Sequence, residues 1–167
     1  MRARDRQEQA TRTHLLLRSG GFTVATAESL TGGKLAVRFT ETPGASETYL
    51  GGVVTYATAL KQTLLDVSDE VVEQYGVVSA ECARAMASGI RARTGASFGI
   101  ATTGVAGPAE QEGKPPGTVY VGLAGPGLLE AVALDLSGDR AEITDRTCDE
   151  ALSALAAILQ REEVGLG

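Results

Sequence analysis

The chain has 167 residues, the length of one domain, and its hydrophobic fraction of 43% and charged fraction of 22% are those of a globular protein. A net charge of −6 and an aromatic content of 4% argue against a nucleic-acid binder, which would carry a basic surface and base-stacking side chains.

Cysteine and histidine are scarce. One histidine (His14) and two isolated cysteines (Cys82 and Cys148) supply no cluster of zinc ligands and are typical of a reduced, cytoplasmic protein. The chain has no apolar run near the ~18 residues of a membrane span, and it begins without the apolar segment of a signal peptide. We therefore expect a single cytoplasmic domain over residues 1–167, without a metal site and without a nucleic-acid or membrane partner.

The first half of the chain alternates helical and strand patterns. Residues 4–19 have a helical pattern that ends at the C-capping pair Gly20-Gly21. The patterns that follow predict, in order, a strand at 22–27, a helix at 34–40 closed by Pro43 and Gly44, a strand at 49–56, and helices at about 58–65 and 70–74.

The second half ends in a hairpin and a long helix. Ser79 is a suitable N-cap for a helix over about 80–93. The elements predicted after it are a strand at 98–103, a polar loop at 109–116, strands at 118–123 and 128–134, and a last helix with Asp139 and Glu142 as its capping box. Because Gly125-Pro126-Gly127 joins the last two strands as a hairpin, we expect a mixed sheet in a single three-layer α/β/α domain.

Ser29 follows the first strand and precedes a glycine-rich helix start, Thr31-Gly32-Gly33. In open α/β sheets, side chains at the carboxyl ends of strands face the crevice where ligands bind. The two glycines would let a ligand approach the backbone, and helix-start amides favour an anion. Alternatively, Ser29 or Thr31 only caps the helix.

A serine nucleophile needs a base, and this chain has almost no histidine. Lys61 follows Tyr56 at the exit of the second strand. A lysine whose pKa is lowered by burial is the best remaining base. Alternatively, Lys61 is a solvated charge on a helix.

The third strand runs into the segment 102–108, where Gly104 and Gly107 would open a backbone nest for a phosphate or an oxyanion. Lys114, on the following loop, is a candidate phosphate contact. The alternatives are an ordinary glycine-rich turn and a solvated surface lysine. Since strand ends converge on one crevice, these segments together predict an α/β domain that binds a small anionic ligand, and a serine hydrolase is one function compatible with them.

Several short motifs also occur in one order along the chain. They are Ala27-Glu28-Ser29, Thr31-Gly32-Gly33, Pro43-Gly44-Ala45-Ser46, Gly52-Val53-Val54-Thr55-Tyr56, Lys61, Tyr75-Gly76-Val77-Val78-Ser79, Gly104-Val105-Ala106-Gly107-Pro108 and Gly117-Thr118-Val119-Tyr120. Together they resemble the C-terminal domain of CinA, the competence/damage-inducible protein family, which includes stand-alone nicotinamide mononucleotide deamidases. The similarity runs from about residue 5 to residue 160, and larger CinA proteins carry an additional N-terminal domain.

The resemblance implies an amidohydrolase that converts nicotinamide mononucleotide and water to nicotinate mononucleotide and ammonia, without metal or cofactor. By position, Ser29 would be the nucleophile, Lys61 its general base and Tyr56 a residue that orients or relays the proton. The implied substrate-binding residues are Thr31, Gly32, Gly33, Thr103, Gly104, Gly107 and Arg140. Arg140 would pair with the phosphate.

The small-molecule substrate is the partner that the resemblance implies, and we also expect a homo-oligomer. Two alternatives stay open: a non-catalytic relative that binds a nucleotide or a protein, and a hydrolase of a different amide.

The chain departs from the family pattern at four places. Leu30 replaces a cysteine, Thr58 an asparagine and Thr144 an arginine, and the loop 109–113 replaces a Gly-Gly pair. If that loop faces the substrate phosphate, its carboxylates Glu110 and Glu112 are expected to weaken binding.

Overall fold

In the computed structural model, which describes residues 1–165, a five-stranded mixed sheet lies between two helical layers. The strands are β1 (Val24–Glu28), β2 (Tyr49–Val54), β3 (Phe98–Gly104), β4 (Thr118–Gly125) and β5 (Leu128–Asp135). The helices are α1 (Ala3–Gly20), α2 (Lys34–Thr40), α3 (Thr58–Leu65), α4 (Asp69–Tyr75), α5 (Ala80–Thr94) and α6 (Arg140–Gly165). A short 3₁₀ turn at Ala45–Glu47 precedes β2.

The strand order β2-β1-β3-β4-β5 decides where a site can form. β1 lies between β2 and β3 and is parallel to both, so the carboxyl ends of these three strands meet at one edge of the sheet. β4 and β5 follow as antiparallel neighbours and form the predicted hairpin around Gly125-Pro126-Gly127. The segments that leave β1, β2 and β3 are therefore brought together.

Alternate residues of the central strands face opposite helical layers. Val24, Phe98 and Ile100 pack with α1, α2 and α6 in one core cluster. Ala25 and Ala101 belong to the second cluster, on the side of α5. This alternation is the period of two that a buried strand requires.

α5 lies so close to the sheet that two strand positions accept only glycine. A Cβ atom at Gly99 would collide with the carbonyl of Ala87, and one at Gly122 would collide with the carbonyl of Ala83. Backbone atoms cannot move aside as a flexible side chain can, so these glycines are required by the packing of α5.

The predicted fold class is confirmed, and helices α1 to α5 agree with their predicted bounds within one residue. The predicted caps are also present: Ser79 Oγ accepts from the N–H of Cys82 at 3.1 Å, and Asp139 and Glu142 exchange hydrogen bonds of 2.8 and 2.9 Å. Among the described residues, no helix combines the length and the apolar composition needed to cross a membrane.

The predicted start of β1 at residue 22 is wrong. The N–H of Phe22 donates to the carbonyl of Leu17 at 2.8 Å, so this residue, which follows the C-cap Gly21, takes part in capping α1 and does not begin the strand. The strand instead extends to Glu28, a buried carboxylate that an apolar pattern would place outside the strand.

Candidate active site

Ser29 and Lys61 form a buried pair at the carboxyl ends of β1 and β2. Ser29 is the first residue after β1, and its N–H donates to the carbonyl of Thr102 on β3 at 3.0 Å. Lys61 lies on α3, the helix that follows β2, and its Nζ lies 2.9 Å from Ser29 Oγ. Lys61 is 1% exposed and Ser29 is 9% exposed. The two residues predicted as nucleophile and base are thus hydrogen-bonded to each other in a place that excludes most water.

The other partners of Lys61 fix the direction in which its amine can act. Nζ also donates to the carbonyls of Thr55 at 2.6 Å and Tyr56 at 3.2 Å. Carbonyl oxygens only accept, so they take two hydrogens of the amine. A neutral amine has no third hydrogen, and its lone pair therefore occupies the position that faces Ser29 Oγ. In this form Lys61 is oriented to accept the hydroxyl proton of Ser29.

Burial lowers the pKa of the Lys61 ammonium from its ordinary value of 10.5, because the charged form loses hydration. Cys82 and Glu112 act in the opposite direction on this pKa. Burial raises the pKa of the Cys82 thiol to about 11, so this thiol is uncharged at neutral pH. Glu112 is then the carboxylate that opposes the lowering of the Lys61 pKa.

A cleft of about 290 Å³ opens at Ser29. Its lining comprises Ser29, Leu30, Tyr56, Arg140 and the segment 104–111. Five of the residues predicted for the site, Ser29, Tyr56, Gly104, Gly107 and Arg140, therefore lie at one cleft. Lys61 contacts Ser29 but does not itself line the cleft.

The turn after β1 is closed by a carboxylate from within the fold. Glu28 is 1% exposed. Its carboxylate accepts hydrogen bonds from the Thr31 hydroxyl (2.6 Å) and from the N–H groups of Gly33 (3.2 Å), Leu35 (2.8 Å) and Ala36 (3.1 Å). The helix-start amides that we expected to hold a ligand anion are thus occupied. Glu28, rather than Ser29 or Thr31, caps α2, and Thr31, Gly32 and Gly33 do not line the cleft.

Arg140 begins α6 and contacts two other residues of the cleft. Its Nε and Nη2 donate to the carbonyl of Gly107 at 2.9 and 2.6 Å, and its Nη1 donates to the Tyr56 hydroxyl at 3.2 Å. A guanidinium has five N–H groups, so two of them have no partner among the described residues. Tyr56 contacts Lys61 through its backbone carbonyl, while its hydroxyl is bound to Arg140. This arrangement does not place the Tyr56 hydroxyl in a proton relay with Lys61.

Three buried residues that line the cleft, Leu30, Ala106 and Gly107, have backbone N–H groups without a hydrogen-bond partner within residues 1–165. Leu30 and Ala106 are nevertheless 6% and 7% exposed. Buried N–H groups are almost always paired, so unpaired ones beside a nucleophile are suited to an incoming oxygen that carries negative charge.

Three residues predicted near the ligand instead hold the turn 76–79, which precedes α5. The Thr103 hydroxyl donates to the Val77 carbonyl at 2.6 Å. The Glu112 carboxylate accepts from the N–H groups of Val77 and Val78 at 3.0 and 2.7 Å. The Lys114 ammonium donates to the Val78 carbonyl. The interpretation of Glu112 as a free carboxylate that repels phosphate is therefore wrong. Of the two loop carboxylates, only Glu110 lines the cleft.

The departures from the family pattern fall at different distances from the cleft. Leu30 and the loop residues 109–111 line it. Thr58 is the first residue of α3, and Thr144 accepts a hydrogen bond of 2.8 Å from Lys34. Neither Thr58 nor Thr144 is part of the cleft lining.

The sequence did not reveal two residues of the site. One is Glu28, whose carboxylate accepts from the helix-start amides, and the other is Thr55, whose carbonyl accepts a hydrogen bond that orients Lys61. The available signal for Glu28 was the one ionisable residue of β1, four residues before the Gly32-Gly33 pair. No signal was available for Thr55, because its contribution is a backbone carbonyl that any residue carries.

Comparison with known proteins gives one consistent family. The family model of the CinA C-terminal domain matches residues 6–159. A CinA-like protein of Frankia casuarinae is 46% identical over 144 residues, which are 86% of this chain and 33% of that protein. A CinA-like protein of Geobacter sp. strain M21 is 42% identical over 161 residues, which are 94% of this chain and 38% of that protein. The chain thus spans about a third of the length of these curated relatives.

Solved structures share the fold over almost their full length. A CinA superfamily protein of Klebsiella pneumoniae superposes with a TM-score of 0.91 at 32% identity and covers 93% of this chain and 98% of that chain. A competence/damage inducible protein of Agrobacterium tumefaciens gives a TM-score of 0.88 at 34% identity, with coverage of 93% and 96%.

Proposed function

The chain belongs to the CinA C-terminal domain family, and from this premise we propose that it is an amidohydrolase that converts nicotinamide mononucleotide and water to nicotinate mononucleotide and ammonia. The observation that carries the proposal is the buried contact of 2.9 Å between Lys61 Nζ and Ser29 Oγ. A serine hydroxyl beside an amine whose pKa is lowered and whose lone pair faces it is a nucleophile with its general base.

In the first step of the proposed reaction, Lys61 Nζ takes the proton of Ser29. The serine oxygen then forms a bond to the carboxamide carbon, and the electron pair of the C=O bond moves to the carbonyl oxygen. The ammonium that forms on Lys61 keeps its bonds to the carbonyls of Thr55 and Tyr56, which stabilise its charge.

The unpaired N–H groups of Leu30, Ala106 and Gly107 would stabilise the negative oxygen of this tetrahedral intermediate. Leu30 is the residue after the nucleophile, and its N–H is therefore fixed relative to Ser29 by one peptide unit. Losing one such donor costs an enzyme about 10²–10³ in kcat.

In the second step, the Lys61 ammonium gives its proton to the amide nitrogen, the C–N bond breaks, and ammonia leaves. Water then attacks the acyl carbon while Lys61 takes one of its protons. The bond from the acyl carbon to Ser29 breaks, and Lys61 returns the proton to the serine oxygen. Atoms and charges balance with water as the only co-reactant.

Arg140 is the residue that we assign to the substrate phosphate. Two of its N–H groups have no partner among the described residues, and the bonds to Gly107 and Tyr56 hold the guanidinium at the cleft. A fixed guanidinium loses less conformational freedom when it binds a phosphate than a free side chain does.

The experiment that tests the proposal is ammonia release from nicotinamide mononucleotide, nicotinamide riboside and nicotinamide, each with the wild type and with Ser29→Ala. We expect turnover of the mononucleotide, weaker turnover of the phosphate-free riboside, and none with the variant. Binding of the mononucleotide without ammonia release would point to a non-catalytic relative. Equal or better turnover of the riboside or of free nicotinamide would point to a hydrolase of a different amide.

A further inference from the structure

One carboxylate joins the loop at the cleft to a distant turn. Residues 109–111 line the cleft, and Gln111 and Lys114 close the loop with backbone hydrogen bonds of 3.1 and 2.9 Å. Glu112, within this loop, does not line the cleft, and its carboxylate accepts from the N–H groups of Val77 and Val78 at 3.0 and 2.7 Å. The cleft-lining loop is thereby attached to the turn that precedes α5.

The backbone on both sides of this contact is adapted to it. Glu112 has a φ of +53°, in the left-handed region that side chains other than asparagine and aspartate rarely adopt. Gly76, with a φ of +76°, lies against the carboxylate, and a Cβ atom there would collide with it. The contact thus depends on an unfavourable backbone conformation at Glu112 and on the absence of a side chain at Gly76.

We propose that Glu112 is a positioning residue of the candidate active site, which holds the loop carrying Glu110 and Gln111 in place by attaching it to the turn before α5. This inference rests on the proposed function, because the loop is held in the position from which it would contact the amide substrate.

Glu112 also acts on Lys61 through its charge. Cys82 on α5 and Glu112 on the loop are the groups that oppose the lowering of the Lys61 pKa by burial. The Cys82 thiol, with a pKa raised to about 11, is uncharged at neutral pH. Removal of the Glu112 charge therefore lowers the Lys61 pKa further, an effect that loss of a merely structural contact would not produce.

The test compares the wild type with Glu112→Gln, Glu112→Ala and the control Glu73→Gln. Glu73 is an exposed carboxylate on α4, so its variant removes the same charge from the surface. Glu112→Gln keeps one acceptor oxygen and the size of the side chain, whereas Glu112→Ala removes both acceptors. Circular dichroism establishes folding first, and the glutamine variant carries the test if the alanine variant does not fold.

Two measurements do not depend on turnover. Hydrogen exchange reports the protection of the Val77 and Val78 amides. Nuclear magnetic resonance of the lysine side chains reports the Lys61 pKa, and it is practicable because the chain has only three lysines, Lys34, Lys61 and Lys114. The third measurement is the pH profile of kcat/KM for nicotinamide mononucleotide.

We expect exchange at Val77 and Val78 to be roughly tenfold faster in Glu112→Ala, with a smaller change in Glu112→Gln and none in Glu73→Gln. The Lys61 pKa should fall in both Glu112 variants, and the acid limb of the pH profile should move to lower pH with it. KM should rise severalfold, with kcat at the high-pH plateau nearly unchanged.

The two proposals fail separately. A wild type that releases no ammonia from nicotinamide mononucleotide overturns the proposed function, while exchange and lysine titration still decide the role of Glu112. Unchanged exchange at Val77 and Val78 in folded Glu112→Gln and Glu112→Ala overturns the positioning role, even if deamidation is observed. A Lys61 pKa that does not respond, together with unchanged kinetics, has the same consequence.

Discussion

The segments that follow β1 and β3, called here the first and the second exit, are similar in sequence but differ in whether their backbone N–H groups are hydrogen-bonded. Each lies at the end of a buried parallel strand and each is rich in glycine, with Gly32-Gly33 after β1, Gly104 as the last residue of β3 and Gly107 shortly after it. At the first exit the carboxylate of Glu28 fills the helix-start amides, and the turn is closed to ligands. At the second exit the N–H groups of Ala106 and Gly107 have no partner among the described residues, and the segment lines the cleft.

A glycine-rich strand exit therefore does not identify a ligand site by itself. Whether such a segment can bind a ligand depends on whether a side chain of the protein already accepts hydrogen bonds from its backbone N–H groups. Here the first exit has its acceptor, Glu28, whose hydrogen bonds hold the turn that follows Ser29. The second exit has no such acceptor among the described residues, and it forms one wall of the cleft in which we propose that the substrate binds. Changes at the first exit should accordingly affect kcat and stability, and changes at the second should affect KM.

The largest effect is expected at Ser29. Ser29→Ala should lower kcat by about 10³-fold or more, because in the proposed reaction the Ser29 oxygen is the group that bonds to the carboxamide carbon. The free energy of unfolding should change by no more than ~1.5 kcal/mol, since the hydroxyl makes one hydrogen bond, to Lys61, and does not cap α2. Ammonia release and urea denaturation provide the two measurements. A variant that retains turnover within about tenfold of the wild type would remove Ser29 from the nucleophile role.

The pH dependence of the rate is the next largest effect. In the proposed reaction the neutral amine of Lys61 is the base. Because burial lowers the Lys61 pKa from 10.5, kcat/KM should rise with pH and level off above this lowered pKa. Below it, the rate should fall about tenfold for each pH unit, as the fraction of neutral amine does. Lys61→Arg should have no acid limb and almost no activity at any pH, because a guanidinium does not deprotonate. A rate that is flat or falls with rising pH in this interval would contradict Lys61 as base.

Glu28→Gln tests whether the buried carboxylate holds the turn of the first exit through its hydrogen bonds. In the wild type, the donors of this turn bind the two oxygens of a charged carboxylate, whereas the glutamine amide offers them one neutral oxygen. The free energy of unfolding should therefore fall by about 2–3 kcal/mol. Because Ser29 adjoins this turn, kcat should fall more than KM rises. Glu47→Gln is the matched control, since its 2.9 Å ion pair with Arg18 lies on the surface and should contribute less than ~1 kcal/mol. Equal losses of stability in the two variants would mean that the buried carboxylate does not hold the turn.

The architecture was predictable because its signals are local. Gly20-Gly21, Ser79 and the Asp139–Glu142 pair mark helix ends through contacts within a few residues, and each was recognised from the sequence. The same holds for the hairpin at Gly125-Pro126-Gly127, whose turn residues adjoin the strands they join.

The candidate site was predictable only in part, because its partners are distant in the chain. The Lys61–Ser29 contact spans 32 residues; it was expected from the scarcity of histidine and from the resemblance to CinA rather than from any local pattern. The contact of Glu112 with Val77 spans 35 residues, and neither the loop composition nor the turn reveals it. The polar composition of this loop predicts a free carboxylate, whereas the fold gives Glu112 two backbone donors.

The smallest effect is expected at the second exit, where Glu110 is the loop carboxylate that lines the cleft. If Arg140 binds the phosphate there, Glu110 repels the same group across solvent, and Glu110→Gln should lower KM for nicotinamide mononucleotide only about twofold. Since an exposed charge acts alike on ground state and transition state, kcat should stay nearly constant. The gain should shrink as salt rises, because charges are screened over ~10 Å at 0.1 M ionic strength. KM for the phosphate-free riboside is the control and should not respond. If KM fell equally for nucleotide and riboside, Glu110 would not sense the phosphate, and the open exit of β3 would have to contact another part of the substrate.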